Sequence, residues 1–403
     1  MKLFQYFKGD KTIWLLTLAL SAYSVMGVYS ASGRMALSSD SGMAEGYMLK
    51  QFVILLGGFF FMWLAHFIPY RAYAKISYFG MALAIPLLIF TLIGGHESGD
   101  ARRWIVIPLI KITFQPSDLA KVVLIVFLAF MISKKAALRD DFKKGFLPLL
   151  IPIILVCGLI LRSNFSTAFM IFVVSVVMMY VGRVKFKFLA AMVATGLLLF
   201  VLVIIVGANF PKTFPRAETW ANRITNWTDD ASTQAKVVSD EHMQAEQAKT
   251  AIATGGWTGK MPGKSVQRNF LPSAFSDFIF AIIIEEYGFV FGAFPIVLLY
   301  IILLFRGLHI AIKSDTSFGA IMAIGITFSI LSQAMVNMLV ASGIGPVTGQ
   351  TLPMISSGGT SIFFVCISLG ILQSIARGNE EAKTIEPTSD PIIQPIESEG
   401  VLA

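Results

Sequence analysis

Residues 277–305 read DFIFAIIIEEYGFVFGAFPIVLLYIILLF. An acid opens the run, an acidic pair follows at Glu285 and Glu286, and the apolar stretch as a whole is long enough to cross about 30 Å of hydrocarbon. In lipid such a stretch has to be helical, because its amides and carbonyls find no water. Two adjacent carboxylates so deep are too costly to face lipid. At least one must point into protein and meet a donor, for which Lys121 or one of the arginines is suited. This one stretch therefore predicts a protein that spans a membrane more than once.

Working outward, comparable runs recur at Thr12–Ser32, Gln51–Ile68, Lys75–Gly94, Asp118–Ser133, Phe146–Leu161, Asn164–Gly182, Phe186–Ala208, Ser317–Val340 and Leu352–Ala376. With residues 277–305 this makes about ten spans, so the fold class is all-α and polytopic. The composition agrees, with 56% hydrophobic and 14% charged residues, and a soluble fold is excluded. Residues 1–377 form one transmembrane domain. Residues 378–403, rich in Glu and Pro, read as a disordered tail.

Lys and Arg resist translocation, so short basic loops mark the cytoplasmic side. Lys8 and Lys11, Arg71 and Lys75, Lys134 to Lys144, Arg183 to Lys187, and Arg306 with Lys313 fall in alternate loops. Both termini are then cytoplasmic, and the segments around Arg34 and Arg102, residues 209–276, and Ser342–Gln350 lie outside. The net charge of +8 is concentrated in the inner loops, so it signals orientation and contact with anionic membrane lipid, not nucleic acid. Cys157 and Cys366 sit within spans as small packing residues. The dispersed His66, His96, His242 and His309 do not form a histidine metal site.

Ionisable residues at the outer ends of spans are the candidates for chemistry. Asp277 stands where the long outer segment enters the membrane, a poorly solvated place that suits a general base and equally a helix N-cap. Lys121 shares a helix face with Asp118 and either snorkels to the interface or meets an anion. Arg102, Arg103 and Trp104 can grip phosphate and a sugar or lipid, or simply anchor the interface. In the Gly-rich stretch from Gly255, the segment Gly259–Ser265 fails as a phosphate-binding P-loop, since Thr258 stands where glycine is needed. It reads as a flexible loop whose Lys260, Lys264 and Arg268 are open to anions. Gly358 and Gly359 interrupt the last span.

Taken in order, several blocks resemble the SEDS family (shape, elongation, division and sporulation), the peptidoglycan glycosyltransferases typified by FtsW and RodA. The blocks are Val28–Ser32, Ala101–Ile105, Gln115–Lys121, Ser265–Gln267, Asp277–Ala281, Glu285–Gly288 and Leu352–Ser361. The chain departs from the family at Asn164, where an acid is usual, at Phe275 for a histidine, at Asp118 for a glutamate and at Ser357 for a tyrosine. The resemblance implies polymerisation of lipid II, the undecaprenyl-diphosphate-linked disaccharide pentapeptide, on the outer face of the bacterial inner membrane. Asp277 would be the base. Lys121, Arg102, Arg103, Trp104, Gln115, Ser265, Gln267, Ser356 and Thr360 would bind substrate or diphosphate, with a divalent cation (Mg or Mn) as an optional aid. Glu285 and Glu286 would be structural support.

Lys264–Gln267 and Thr348–Pro353 look more like FtsW than RodA, which implies septal division and not elongation. The implied partners are a class B penicillin-binding transpeptidase and other divisome proteins. Two other classes remain open. A lipid II flippase or transporter would place its acids near the midplane on repeated broken helices, whereas here they gather toward one face. A non-catalytic scaffold for the transpeptidase would explain the lost acid at Asn164.

Overall fold

The computed structural model describes residues 8–32, 44–98, 101–107, 112–138, 140–209, 240–271 and 275–385. Its helices are α1 (Lys11–Ala31), α2 (Ala44–Phe67), α3 (Tyr73–Gly94), α4 (Pro116–Lys134), α5 (Leu147–Leu161), α6 (Phe165–Val181) and α7 (Phe186–Asn209). They continue with α8 (Asp240–Gly255), α9 (Ile279–Gly288), α10 (Phe294–Ile312), α11 (Ser317–Ala341) and α12 (Thr360–Ile385). Among the described residues, eight stretches are long and apolar enough to cross a membrane, α9 and α10 counting as one, and two shorter apolar helices lie within α6 and α7.

Local chemistry sets the helix starts. Asp10 caps α1, its Oδ1 accepting from Thr12 N at 2.9 Å, and Thr316 caps α11 by accepting from Gly319 N. Pro116 opens α4, where its missing N–H is no loss. Between α4 and α5 Asp141 accepts from Lys143 N and Lys144 N, and these bonds hold its carboxyl below the usual carboxylate range.

Packing separates a centre from a periphery. α4, α11 and α12 are mostly buried, whereas α2 and α3 present Phe60, Phe79 and Leu83 outward. Lipid tails are as apolar as leucine, so helices associate here through close packing and small residues. Gly58 of α2 sits against Cys366 of α12, and Gly370 of α12 against the Met62 carbonyl. Gly325 of α11 likewise admits Met178 and Ile125.

Four departures from the sequence reading have physical causes. The outer segment around Arg102 is a small antiparallel sheet of β1 (His96–Ser98), β2 (Ala101–Ile107) and β3 (Ile112–Phe114), added to the helical fold. Part of the long outer segment is helical, because α8 buries its small face, Ala248 and Ala251, against α9; residues 210–239 and 272–274 are outside the described set. The last helix begins at Thr360 and not Leu352, so Gly358 and Gly359 precede it, Gly359 at φ +53. It also passes the expected tail boundary at residue 378 and runs to Ile385. Asn379 holds this end in place by donating to Ile310 O, as does Glu380 by accepting from Gly9 N.

Candidate functional site

Asp277 immediately precedes the first turn of α9. Its Oδ1 accepts from Ser276 Oγ at 2.8 Å, and its backbone carbonyl accepts from Asn337 Nδ2 of α11 at 2.8 Å. The carboxylate faces Gly349, which has φ +63. A Cβ added at Gly349 would lie 3.6 Å from Asp277 Oδ2 and 3.9 Å from Arg103 Nη1. Only glycine leaves that conformation unstrained and that space clear. A carboxylate just ahead of α9 and a guanidinium from β2 thus border one small volume over the Gly349 backbone.

Arg103 is positioned by donating from Nε to Ser163 O at 3.0 Å. With Gln115, Ser163 and Asn164 it lines a crevice between α3, α4 and α5. Gln115 donates to Ser117 Oγ there. Asn164 caps α6, its Oδ1 accepting from Thr167 N at 3.2 Å. An amide performs that task as well as a carboxylate, so the departure at this position keeps the helix start intact. Trp104 is half-buried, its backbone opposite His96. Arg102 pairs with Glu97 through the backbone register, and its side chain lies outside the described set.

Lys121 does not snorkel outward. Its Nζ donates to Gln333 Oε1 of α11 at 2.8 Å and lies 3.8 Å from Asp118 Oδ1, while Asp118 Oδ2 accepts from Ser361 Oγ. Gln333 in turn donates to Thr351 O at 3.0 Å. Asn337, one turn along, donates to Gln350 O at 2.7 Å, and Gln350 Nε2 donates to Thr167 Oγ1 at 2.9 Å. Gln350 and Thr351 are therefore gripped in turn, and the two amides of α11 that hold them also hold the Asp277 carbonyl and Lys121. Sequence reasoning missed Gln333 and Asn337. Their signal was available: two amides four residues apart on one face of an otherwise apolar span, each needing a buried partner.

Ser356, Thr360, Ser265 and the backbone N of Gln267 are hydrogen-bonded within the protein. Ser356 Oγ donates to Ser276 O and accepts from Leu352 N, and Ser357 N donates to Phe275 O, so this run fixes the chain just before Asp277. Thr360 donates to Thr113 O, joining α12 to β3. Ser265 and Gln267 serve Glu285. That carboxylate, 0% exposed, accepts from Ser265 Oγ, Val266 N at 3.1 Å, Gln267 N at 3.2 Å and Lys260 Nζ at 2.8 Å. Glu286 accepts from Ser30 Oγ and from Ser265 N, with Arg268 Nη1 at 4.0 Å. The cation on Glu285 is thus Lys260, the one beside Glu286 is an arginine, Arg268, and Lys121 is bonded elsewhere.

Nor is the Gly255–Gly263 stretch open to anions along its length. Lys260 N and Met261 N donate to Glu285 O and Glu286 O, and Phe289 N and Val290 N donate to Gly256 O and Trp257 O. Backbone lies on backbone. A Cβ at Gly259 would come 2.1 Å from Glu286 O, and one at Gly288, where φ is +72, would come 2.4 Å from Gly259 N.

The whole fold has known counterparts. A chain from a study of how a peptidoglycan synthase complex coordinates polymerization and crosslinking superposes with TM-score 0.72 at 24% identity, covering 92% of this chain and 98% of that one. The rod shape determining protein RodA of Thermus thermophilus gives TM-score 0.65 at 22% identity, over 92% of this chain and 97% of that one. Among curated relatives, the probable peptidoglycan glycosyltransferase FtsW of Bacillus subtilis (strain 168) is 31% identical over 387 residues, 94% of each chain. Stage V sporulation protein E of the same strain is 30% identical over 378 residues, 91% of this chain and 97% of that one. The family description "Cell cycle protein", covering FtsW, RodA and SpoVE, matches residues 10–381. That match takes in every element from α1 to the greater part of α12, and the chain belongs to this SEDS family.

Proposed function

We propose that this chain is a peptidoglycan glycosyltransferase that polymerises lipid II on the outer face of the bacterial inner membrane, with Asp277 as its general base. The 4-hydroxyl of the acceptor sugar attacks the anomeric carbon of the donor, Asp277 takes the hydroxyl proton, and the lipid diphosphate departs with inversion. Such a base contributes typically 10²–10⁴-fold. Cations aimed at the departing oxygens do comparable work in a site with little water. Arg103, across Gly349 from Asp277, and Lys121, held by a neutral amide, are the cations for that role, joined by Arg102. A diphosphate oxygen brings a full negative charge that the Gln333 amide lacks, and so attracts Lys121 more strongly. The observation that carries the reading is the shared space of Asp277 and Arg103 over Gly349.

Among the described residues, no group of three or more His, Cys, Asp or Glu side chains could hold a metal ion. A divalent cation, Mg or Mn, would therefore draw its ligands chiefly from diphosphate and water, the usual pattern for Mg at phosphates. The FtsW-like Lys264–Gln267 and Thr348–Pro353 blocks, and relatives bearing the name FtsW, favour septal division over RodA-type elongation. The same reasoning makes a class B penicillin-binding transpeptidase the partner, with other divisome proteins around it.

The test is gel-resolved polymerisation of labelled lipid II by the purified protein with its transpeptidase, comparing wild type with a folded Asp277→Asn variant. Polymer from the wild type alone supports the enzyme and its base. Equal polymer from both removes Asp277, and polymer from neither points to flipping or scaffolding.

A further inference from the structure

The crevice between α3, α4 and α5 holds a hydrogen-bond donor that no described residue uses. Asn164 lines it and is 6% exposed. Its Oδ1 is committed to Thr167 N as the cap of α6, and that bond settles which end of the amide is left for the crevice. The Nδ2 end has no acceptor among the described residues. Unlike the orphaned oxygens of Asn337 and Asn379, it retains accessible surface.

The surroundings favour an anion. Arg103 is the one ionisable residue on the crevice wall among the described residues, and Gln115, Ser117 and Ser163 add polar groups without adding an acid. Two helices also begin here, α4 at Pro116 and α6 just after Asn164, and both turn the positive ends of their dipoles toward it. The acid usual in the family at position 164 would set a negative charge beside the guanidinium; the amide of this chain sets a donor there.

Size and lining narrow the ligand. The crevice measures about 10 Å³, room for a single oxygen atom of an anion whose remainder lies outside. Leu92 of α3 and Leu159 of α5, both half-buried, flank the polar groups, and one turn deeper on α5 Leu155 is 42% exposed. An anion carrying an apolar chain covers both parts of this lining. Arg103 also connects the crevice to the reacting groups: its Nε donates to Ser163 O, while its Nη1 reaches the space over Gly349 that Asp277 borders. In an inverting displacement the leaving oxygen departs from the face opposite the attacking one, so an anion held beyond Arg103 lies on the departing side.

We propose that Asn164 Nδ2 donates to a phosphoryl oxygen of the glycosyl donor's polyprenyl diphosphate, beside Arg103, with the prenyl chain running out along Leu92 and Leu159. This rests on the glycosyltransferase reading and adds to it a residue that recognises the leaving group.

Full-length protein in detergent, titrated with fluorescently tagged undecaprenyl diphosphate or undecaprenol, tests this; EDTA is present so that no divalent cation can bridge a carboxylate to the diphosphate. Wild type should prefer the diphosphate. Asn164→Asp should bind the diphosphate roughly tenfold more weakly. Its undecaprenol binding and melting temperature should not change, because a carboxylate caps α6 as well as an amide does. Asn164→Ser, which also caps the helix but has no Nδ2, should weaken diphosphate binding in the same direction. Unchanged diphosphate binding in both variants overturns the assignment and leaves the crevice to water, as does the lack of any preference in wild type. Weakening in Asn164→Asp alone overturns the donor role in favour of plain repulsion, and equal loss for both lipids makes Asn164 a structural residue only. Displacement by inorganic pyrophosphate at the lipid's own concentration overturns the prenyl part in favour of a free anion. Binding that depends on Asn164 without polymerisation would keep this site and remove the enzyme, whereas polymerisation with binding indifferent to Asn164 would do the reverse.

Discussion

The two ends of α9 carry carboxylates in opposite circumstances. At its start, Asp277 accepts from Ser276 Oγ and borders a space shared with Arg103 beside Gly349, while Asn337 holds its backbone carbonyl. At its end, Glu285 is enclosed by a lysine, a hydroxyl and two backbone amides. With that many donors the side chain staples the 256–267 segment to the bundle, and no room is left for a reacting atom. Proximity to the membrane surface and acidity alone do not make a base. What distinguishes the two is what else borders the carboxylate oxygens.

That contrast breaks most plainly at Asp277. Asp277→Asn should lower lipid II polymerisation by about 10²–10⁴-fold with an unchanged melting temperature; a variant that loses stability in step with activity would make Asp277 another staple. Glu285→Ala should do the reverse. It strands Lys260 and the Val266 and Gln267 amides, at a cost of about 3 kcal/mol, seen as a lower thermal midpoint. The surviving folded fraction should polymerise at near wild-type rate per molecule, and a large fall in that rate would erase the distinction.

Asn337→Ala tests the clamp between these extremes. Two carbonyls, of Asp277 and Gln350, lose their donor, at about 1–2 kcal/mol, and the misplaced base should lower kcat more than it raises KM. An effect on KM alone would move Asn337 from positioning to binding. The smallest effect belongs to a carboxylate that does neither job. Asp141 has its pKa depressed by the Lys144 and Lys143 amides, so its capping contribution is complete above the unfolded value of about 3.9. It is lost as pH falls through the lower folded value. Asp141→Ala should abolish that low-pH component and speed amide exchange at Lys143 and Lys144, leaving polymerisation unchanged.

Hydropathy made the spans legible, because a helix crossing lipid has to be apolar along its whole length, and Asp277 was legible from the resemblance and its place at a span entrance. The grip on Gly349–Thr351 was not. It depends on neutral amides at Gln333, Asn337 and Gln350 whose partners are far away in sequence, as Thr167 is from Gln350. The contact of Ser265 with Glu285 was not legible for a related reason. A hydroxyl near a carboxylate motif fits substrate binding as well as internal support, and only its contact with Glu285 decides. The glycines at 259 and 288 announced turns but not that two stretches of backbone would touch there.

The break at Gly288 has a mechanical side. A single rod through Ile279–Ile312 would spread any push along its length; with the helical path interrupted, α9 is a separate strut about 15 Å long. One end of that strut is hydrogen-bonded to the segment bearing Trp257, which is 72% exposed, and the other end meets Asp277.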